Sequence, residues 1–342
     1  MNSVERITKA LHLQPVDRVP VIPEMIQSVI ELAGVTHKAF STDGAVMAHT
    51  VLAGQKFYGY DAVYVSTDNY VLAEAFGANL RFPADAPPQL PTHPLQSINP
   101  MELAPFSIEN GRIPVILRAT TLCREALGDT VFVKTNIDSS PFSAAACLCG
   151  SEPLMMALFD TPEKVHDLLK VCTEAIITYG KAAAKAGAHG IAFGDSVAGL
   201  LGRDLYVEFA LPYAQKAVAE LHKTGLPVFY HVCGNTRHIA DLMIQTGADC
   251  IEIDSMMPMD EMQKLAHDKC CVEGNISTIE SILNGTPEDV YREANAILDL
   301  FGNRGGLILS SACEVPRFSP PENIRAITDA ALRYLSSRGD TM

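Results

Sequence analysis

Short apolar runs alternate with longer amphipathic stretches along the whole chain. The apolar runs fall at residues 18–23, 62–66, 130–135, 190–194, 226–230, 250–254, 270–274 and 306–310. Each is five or six residues long, as expected of strands covered on both faces. Helix starts stand between them at Thr161-Pro162-Glu163, Thr286-Pro287-Glu288-Asp289 and Ser319-Pro320-Pro321-Glu322. In each, a hydroxyl is placed to cap free amides, proline occupies the first turn, and an acid faces the positive end of the helix dipole. The 231–249 segment leaves a strand, turns at Gly234-Asn235 and continues as an amphipathic helix. Alternation of this kind predicts an α/β protein, a (β/α)8 TIM barrel forming a single domain over residues 1–342. Residues 1–17 form a helical lead-in, and the proline-rich stretch 78–118 is an insertion over the barrel mouth. The competing architecture is an open doubly wound sheet. No Gly-x-Gly-x-x-Gly follows any of the runs to support it.

Composition narrows the partners. Of 342 residues, 48% are hydrophobic, enough for a large core. Lys and Arg number 26 against 40 Asp and Glu, a net charge of −14 that repels phosphate backbones and anionic headgroups. Nucleic acid and membrane surfaces are therefore not expected partners. The start, MNSVERITKALHLQP, lacks the basic and apolar regions of a secretory signal. The most apolar stretch, 144–159, is broken by Ser151, Glu152 and Pro153, so no span is predicted and a cytoplasmic location is expected. Nine cysteines without repeated spacing are not a disulfide framework.

In a barrel, chemistry collects where strands run into helices. The residues there are Glu24, Asp68, Asn136 or Asp138, Asp195, His231 with Cys233, Asp254, Asn275, and Cys313 with Glu314. His231 and Cys233 alternate on an extended segment, so both side chains point into one mouth. The barrel brings the end of the last strand across from them, and with it Cys313. Two thiolates and an imidazole suit tetrahedral zinc with a fourth position open. Asp254, at the end of the neighbouring strand, is placed to fill that position at rest. Asp195 either positions substrate or caps the next turn, and Asn275 either meets substrate or caps a helix. The Cys270-Cys271 pair is expected to pack. So are Cys147 and Cys149, which fall in an Ala-rich loop, while His222 and His238 fall on helices.

Several segments resemble the uroporphyrinogen decarboxylase superfamily. They are Phe229-Tyr-His-Val-Cys-Gly-Asn-Thr236, the Gly194-Asp195 strand end, Asn275 in Val-Glu-Gly-Asn-Ile, and Ser-Ala-Cys313-Glu-Val-Pro. Within it, the His-x-Cys … Cys set is similar to the corrinoid-dependent branch, the methylcobamide:coenzyme M methyltransferase type. That resemblance implies a (β/α)8 barrel, zinc on His231, Cys233 and Cys313, and Asp254 where the branch carries an acid that also meets the metal. It further implies a methylcorrinoid on a carrier protein as methyl donor, and a small-molecule acceptor such as coenzyme M, another thiol, homocysteine or a folate. Asp195 and Asn275 take catalytic places, while Glu24 and Asp68 stand as weaker candidates for cofactor binding. The superfamily's decarboxylases carry Arg-Gln-Ala-Gly-Arg after the first strand. Here residues 21–28 read Val-Ile-Pro-Glu-Met-Ile-Gln-Ser, with an acid and no arginine. A porphyrinogen decarboxylase is thus the second expectation, and a non-catalytic corrinoid-binding protein the third.

Overall fold

The computed structural model describes residues 1–337. Seven parallel strands form one sheet in sequential order: β1 (Ala62–Val65), β2 (Phe132–Ser139), β3 (Gly190–Gly194), β4 (Val228–Val232), β5 (Cys250–Ile253), β6 (Cys271–Ile276) and β7 (Leu307–Ser311). Helices connect consecutive strands, as parallel pairing requires. The strands are almost wholly buried, consistent with their unbroken apolar runs.

Eight strands were expected and seven form. Residues 18–23 supply one bridge, Val21 to Leu309, in place of a strand. The reason is local: Pro20 and Pro23 lack the N–H groups a ladder needs. The segment nevertheless bonds to both sides of the sheet. Ile22 N–H donates to Leu309 O at 3.0 Å, and Asp61 N–H, just before β1, donates to Val21 O at 2.8 Å.

Asp61 fixes this seam. Its buried carboxylate accepts from Ser3 Oγ (2.7 Å), Arg6 (2.8 Å), Arg18 (2.7 and 2.9 Å) and the Val21 N–H (2.8 Å). Ser3 and Arg6 come from the N-terminal helix Ser3–Leu11, which opens with an Asn2/Glu5 capping box. Within 78–118 the chain forms one antiparallel bridge, Arg81 to Gln89, and helix Ile113–Leu127 takes the last residues.

Helix starts are right in place and partly wrong in cause. Thr286 and Asp289 make a full capping box for helix Pro287–Phe301. Thr161 precedes helix Pro162–Lys185 without a side-chain cap, and buried Ser319 Oγ has no hydrogen-bond partner before helix Pro321–Ser337. Cys147 and Cys149 lie in helix Pro141–Cys149 instead of a loop. His222 ends helix Leu211–His222, whereas His238 sits in the turn before helix Ala240–Gln245. Among the described residues, no single helix is long and apolar enough to cross a membrane.

Candidate metal centre

Strand β4 runs two residues beyond its expected end, so His231 and Val232 are part of it. His231 projects to the C-terminal end of the sheet and Cys233 follows one residue past the strand. There the chain turns through Gly234, whose φ of 81° suits glycine. The Gly234 N–H donates to Asp254 Oδ2 at 3.0 Å, holding the turn. Cys313 arrives from the loop after β7. The ligand atoms of His231, Cys233 and Cys313 all lie within 4.8 Å of one another. His231 Nε2 is 3.1 Å from Cys233 Sγ. A neighbouring loop packs tightly here: a Cβ on Gly199 would sit 2.6 Å from the Cys233 carbonyl oxygen.

The electrostatics of the trio are cooperative. The Cys313 thiol, bonding to Cys233, outweighs burial and together with His231 lowers Cys233 to about 3. Burial pulls an imidazole down, yet the Cys233 thiolate lifts His231 to about 10. Cys313, donor to that thiolate and buried, is raised. One imidazole nitrogen and two sulfurs at this spacing are a donor set for a borderline-soft divalent ion, so the residues present fit zinc.

Beneath the trio lies a charged layer that the sequence pattern did not single out. In register, His231 of β4 faces Glu252 of β5, and Glu252 faces Glu273 of β6. Lys134 of β2, 1% exposed, pairs with Glu252 at 2.7 Å and Glu273 at 2.8 Å. Its ammonium also lies 4.5 Å from the centre of the Phe229 ring. Glu252 Oε2 comes within 4.0 Å of His231 Nδ1, the face of the ring opposite Cys233. The available signal was a charge inside a buried apolar run: Val-Phe-Val-Lys134, Cys-Ile-Glu252 and Cys-Val-Glu273.

A cavity of about 280 Å³ opens against the trio. Glu24 and Asp68 line it, as do His231, Cys233 and Cys313. Burial raises Glu24, and Asp68 is clamped by Arg112 at 2.5 and 3.0 Å. Asn136, Asp138 and Glu314 line the cavity too, whereas Asp195, Asn275 and Asp254 stand away from its wall. Asp195 is fully buried: its carboxylate accepts from Ser140 Oγ, from Ser143 Oγ at 2.6 Å and from Tyr230 Oη at 3.2 Å. Asn275 lies inside β6 and donates to the carbonyls of Asp254 (3.1 Å) and Met257 (2.8 Å). Asp254, expected beside the metal, is not in the trio's cluster; both its oxygens accept backbone N–H groups, from Gly234 and from Met256 at 3.0 Å.

Comparison with known proteins identifies the family and the fold. The sequence profile for uroporphyrinogen decarboxylase (URO-D) matches residues 2–334. The methylcobamide:CoM methyltransferase MtbA of Methanosarcina acetivorans is 30% identical over 340 residues, covering 96% of this chain and 97% of that protein. A uroporphyrinogen decarboxylase of Myxococcus xanthus is 28% identical over 340 residues, covering 92% and 94%. The solved structure of a methyltransferase from Methanosarcina mazei has the same fold, with a TM-score of 0.88 at 24% identity over 98% of this chain and 99% of that one. A profile match over nearly the whole length, around a shared barrel-type scaffold, establishes the family: the chain belongs to the uroporphyrinogen decarboxylase family.

Proposed function

We propose that this chain is a zinc-dependent methyltransferase that moves a methyl group from a methylated corrinoid, held on a carrier protein, to a small-molecule thiol. The convergence of His231, Cys233 and Cys313 at one cavity carries this reading. Two relatives are named for coenzyme M: the MtbA protein above, and a methylated-thiol--coenzyme M methyltransferase of Methanosarcina mazei, 29% identical over 323 residues and covering 92% of this chain and 85% of that protein. The sheet works as a closed (β/α)8 barrel, with residues 18–23 as its eighth stave and 78–118 arching over the mouth, where Pro87 and Pro88 line the cavity.

A thiol free in water keeps its proton at neutral pH, with a pKa of roughly 8.5, and is then a weak nucleophile. His231, Cys233 and Cys313 would hold zinc, which would supply a Lewis acid that lowers the acceptor thiol's pKa so that it binds as thiolate and gives up its proton to solvent. The two cysteine sulfurs offset the ion's charge and leave the substrate sulfur electron-rich. The rest of the constellation keeps these ligands aimed. Glu252, fixed by Lys134, faces the far side of the His231 ring. Asp254 holds the Gly234 turn, and Asn275 anchors the backbone that carries Asp254. Asp195 and Asn275 are positioning residues, while Glu24 and Asp68 shape the cavity. The cavity admits a small thiol and not a corrin ring, so the methyl donor meets it at the rim. Leu200, Met256 and Phe318, exposed at 76%, 62% and 74% on the loops after β3, β5 and β7, present an apolar rim for the carrier.

The decarboxylase reading is disfavoured by the cavity wall. Among the described residues no Lys or Arg lines it to hold a polycarboxylate, and Glu24 stands where the superfamily's decarboxylases carry arginines. The test is metal analysis of the wild type beside Cys313→Ala, with a methylcobalamin demethylation assay on both. About one zinc per wild-type chain is expected, with severalfold less in the variant and demethylation lost with it. Full occupancy in Cys313→Ala would remove that sulfur from the centre.

A further inference from the structure

The cavity beside the trio is lined by five carboxylates, Glu24, Asp68, Asp138, Glu252 and Glu314, and by no lysine or arginine. Two of the five have cations set behind them, out of the cavity wall. Arg112 is spent on Asp68 and on Glu74, at 2.7 Å. Lys134 is spent on Glu252 and Glu273. Neither retains a free face toward the cavity, since Arg112 and Lys134 side chains are 4% and 1% exposed. Glu24, Asp138 and Glu314 have no lysine or arginine within ion-pair distance among the described residues. Their hydrogen-bond donors are neutral: Asp138 accepts the Leu72 N–H at 2.6 Å and Ser139 Oγ at 3.0 Å, and Glu314 the Gln27 N–H at 3.0 Å. A divalent ion with two thiolates sums to zero charge, so the metal centre leaves the sign of this wall unchanged.

We propose that the thiol accepted here carries a cationic or uncharged second group and not an anionic one. The inference rests on the methyl-transfer reading and deepens it, by naming the charge class of its substrate. A buried anion needs fixed donors, and the fixed cationic donors near this cavity are already committed to carboxylates. An ammonium finds acids on the wall that have no cation of their own, and a hydroxyl finds acceptors whatever their charge. A sulfonate or carboxylate on the substrate finds no free cation to hold it and faces like charge at Asp68, which shares its one guanidinium with Glu74, on a partly desolvated surface where screening by salt is weak. The cavity therefore discriminates on the tail of the thiol while the metal takes its head. In this respect the chain departs from relatives named for coenzyme M, whose tail is a sulfonate.

Three probes share one mercaptoethyl frame and differ only in tail charge: 2-aminoethanethiol, 2-mercaptoethanol and 2-mercaptoethanesulfonate. Each is titrated at low salt into the full-length protein loaded with cobalt(II) in place of zinc, and the sulfur-to-metal absorption band is read. In the wild type the aminothiol binds at least about tenfold more tightly than the sulfonate, with the alcohol between. Glu24→Gln and Asp138→Asn each narrow that ratio severalfold at unchanged metal content. The ratio between variants and wild type cancels the different intrinsic acidities of the three thiols. Equal or tighter binding of the sulfonate in the wild type overturns the charge inference and leaves methyl transfer to a thiol standing. A cobalt-loaded protein whose band none of the thiols perturbs overturns both. A ratio unmoved by either substitution overturns the assignment of selectivity to this wall.

Discussion

Asp138 shows how one residue can carry both strain and a displaced proton. It adopts φ 79°, a region that Asp and Asn visit more readily than other side chains. Burial, relieved only in part by the Leu72 N–H, pushes its carboxyl up to about 7. A folded value above the ordinary 3.8 means that the unfolded chain gives up this proton first. The cost to stability is therefore absent below about pH 4, grows between pH 4 and 7, and is constant above. Asp138→Asn keeps the acceptor and the backbone preference and removes the charge. Thermal unfolding should show the variant melting on the order of a few degrees above wild type at pH 8, with a much smaller gain at pH 5. A gain of equal size at both pH values would mean that the group does not titrate across this range. The same scale separates what could be seen in the sequence from what could not. His231 and Cys233 were visible because alternation on a strand end puts both in the mouth, and Cys313 because it ends another strand. Asp195 and Asn275 were assigned to the cavity by position alone. Their side chains turn into the scaffold, toward Ser140, Ser143 and Tyr230 in one case and two backbone carbonyls in the other. Nothing in local pattern reports that rotation.

Among the elements, strands were legible and their ends were not. The apolar runs located β1 to β7, but β2, β4 and β6 each run on beyond the expected end through polar residues, Asn136, His231 and Asn275 among them, because a buried strand accepts polar side chains near its C-terminal end where they find partners. Lys134, Glu252 and Glu273 were passed over for the related reason that a charge within a buried run is uncommon and needs partners from other strands to be tolerated. The eighth stave failed as a strand for a cause plainly written in the chain, Pro20 and Pro23, and its attachment then depends on side chains. Asp61 carries that load, with its carboxylate 1% exposed between Arg6 and Arg18. Asp61→Ala would leave Arg18 buried at the seam with no carboxylate and only the Val19 carbonyl at 3.1 Å, while Arg6 would keep Asp17 as its one carboxylate, and Ser3 Oγ and the Val21 N–H would lose their acceptor. A loss of about 3–5 kcal/mol is expected in denaturant unfolding. Amide exchange in residues 19–23 and in β7 should accelerate beyond the rest of the sheet. Uniform acceleration would mean that the aspartate is not specific to this seam.

For the whole molecule, net charge and surface pattern separate docking from chemistry. The acidic surface implied by a net charge of −14 excludes polyanions, while the apolar side chains on the rim offer a contact that charge does not govern. Lysine in place of Leu200, Met256 and Phe318 together should slow methyl transfer from a corrinoid on its carrier by tenfold or so, through lost apolar burial, and leave demethylation of free methylcobalamin unchanged. Equal slowing of both reactions would trace the defect to the centre instead of the rim. The coordination set has a history as well as a geometry. Two of its members are two residues apart on β4, and the third stands near the far end of the chain. A ribosome must therefore deliver 80 residues beyond Cys233 before all three donors can meet. Under the proposed zinc reading the donor set is complete only once residue 313 has been made, and a fragment ending before it is expected to hold a divalent ion only as loosely as an isolated His-x-Cys.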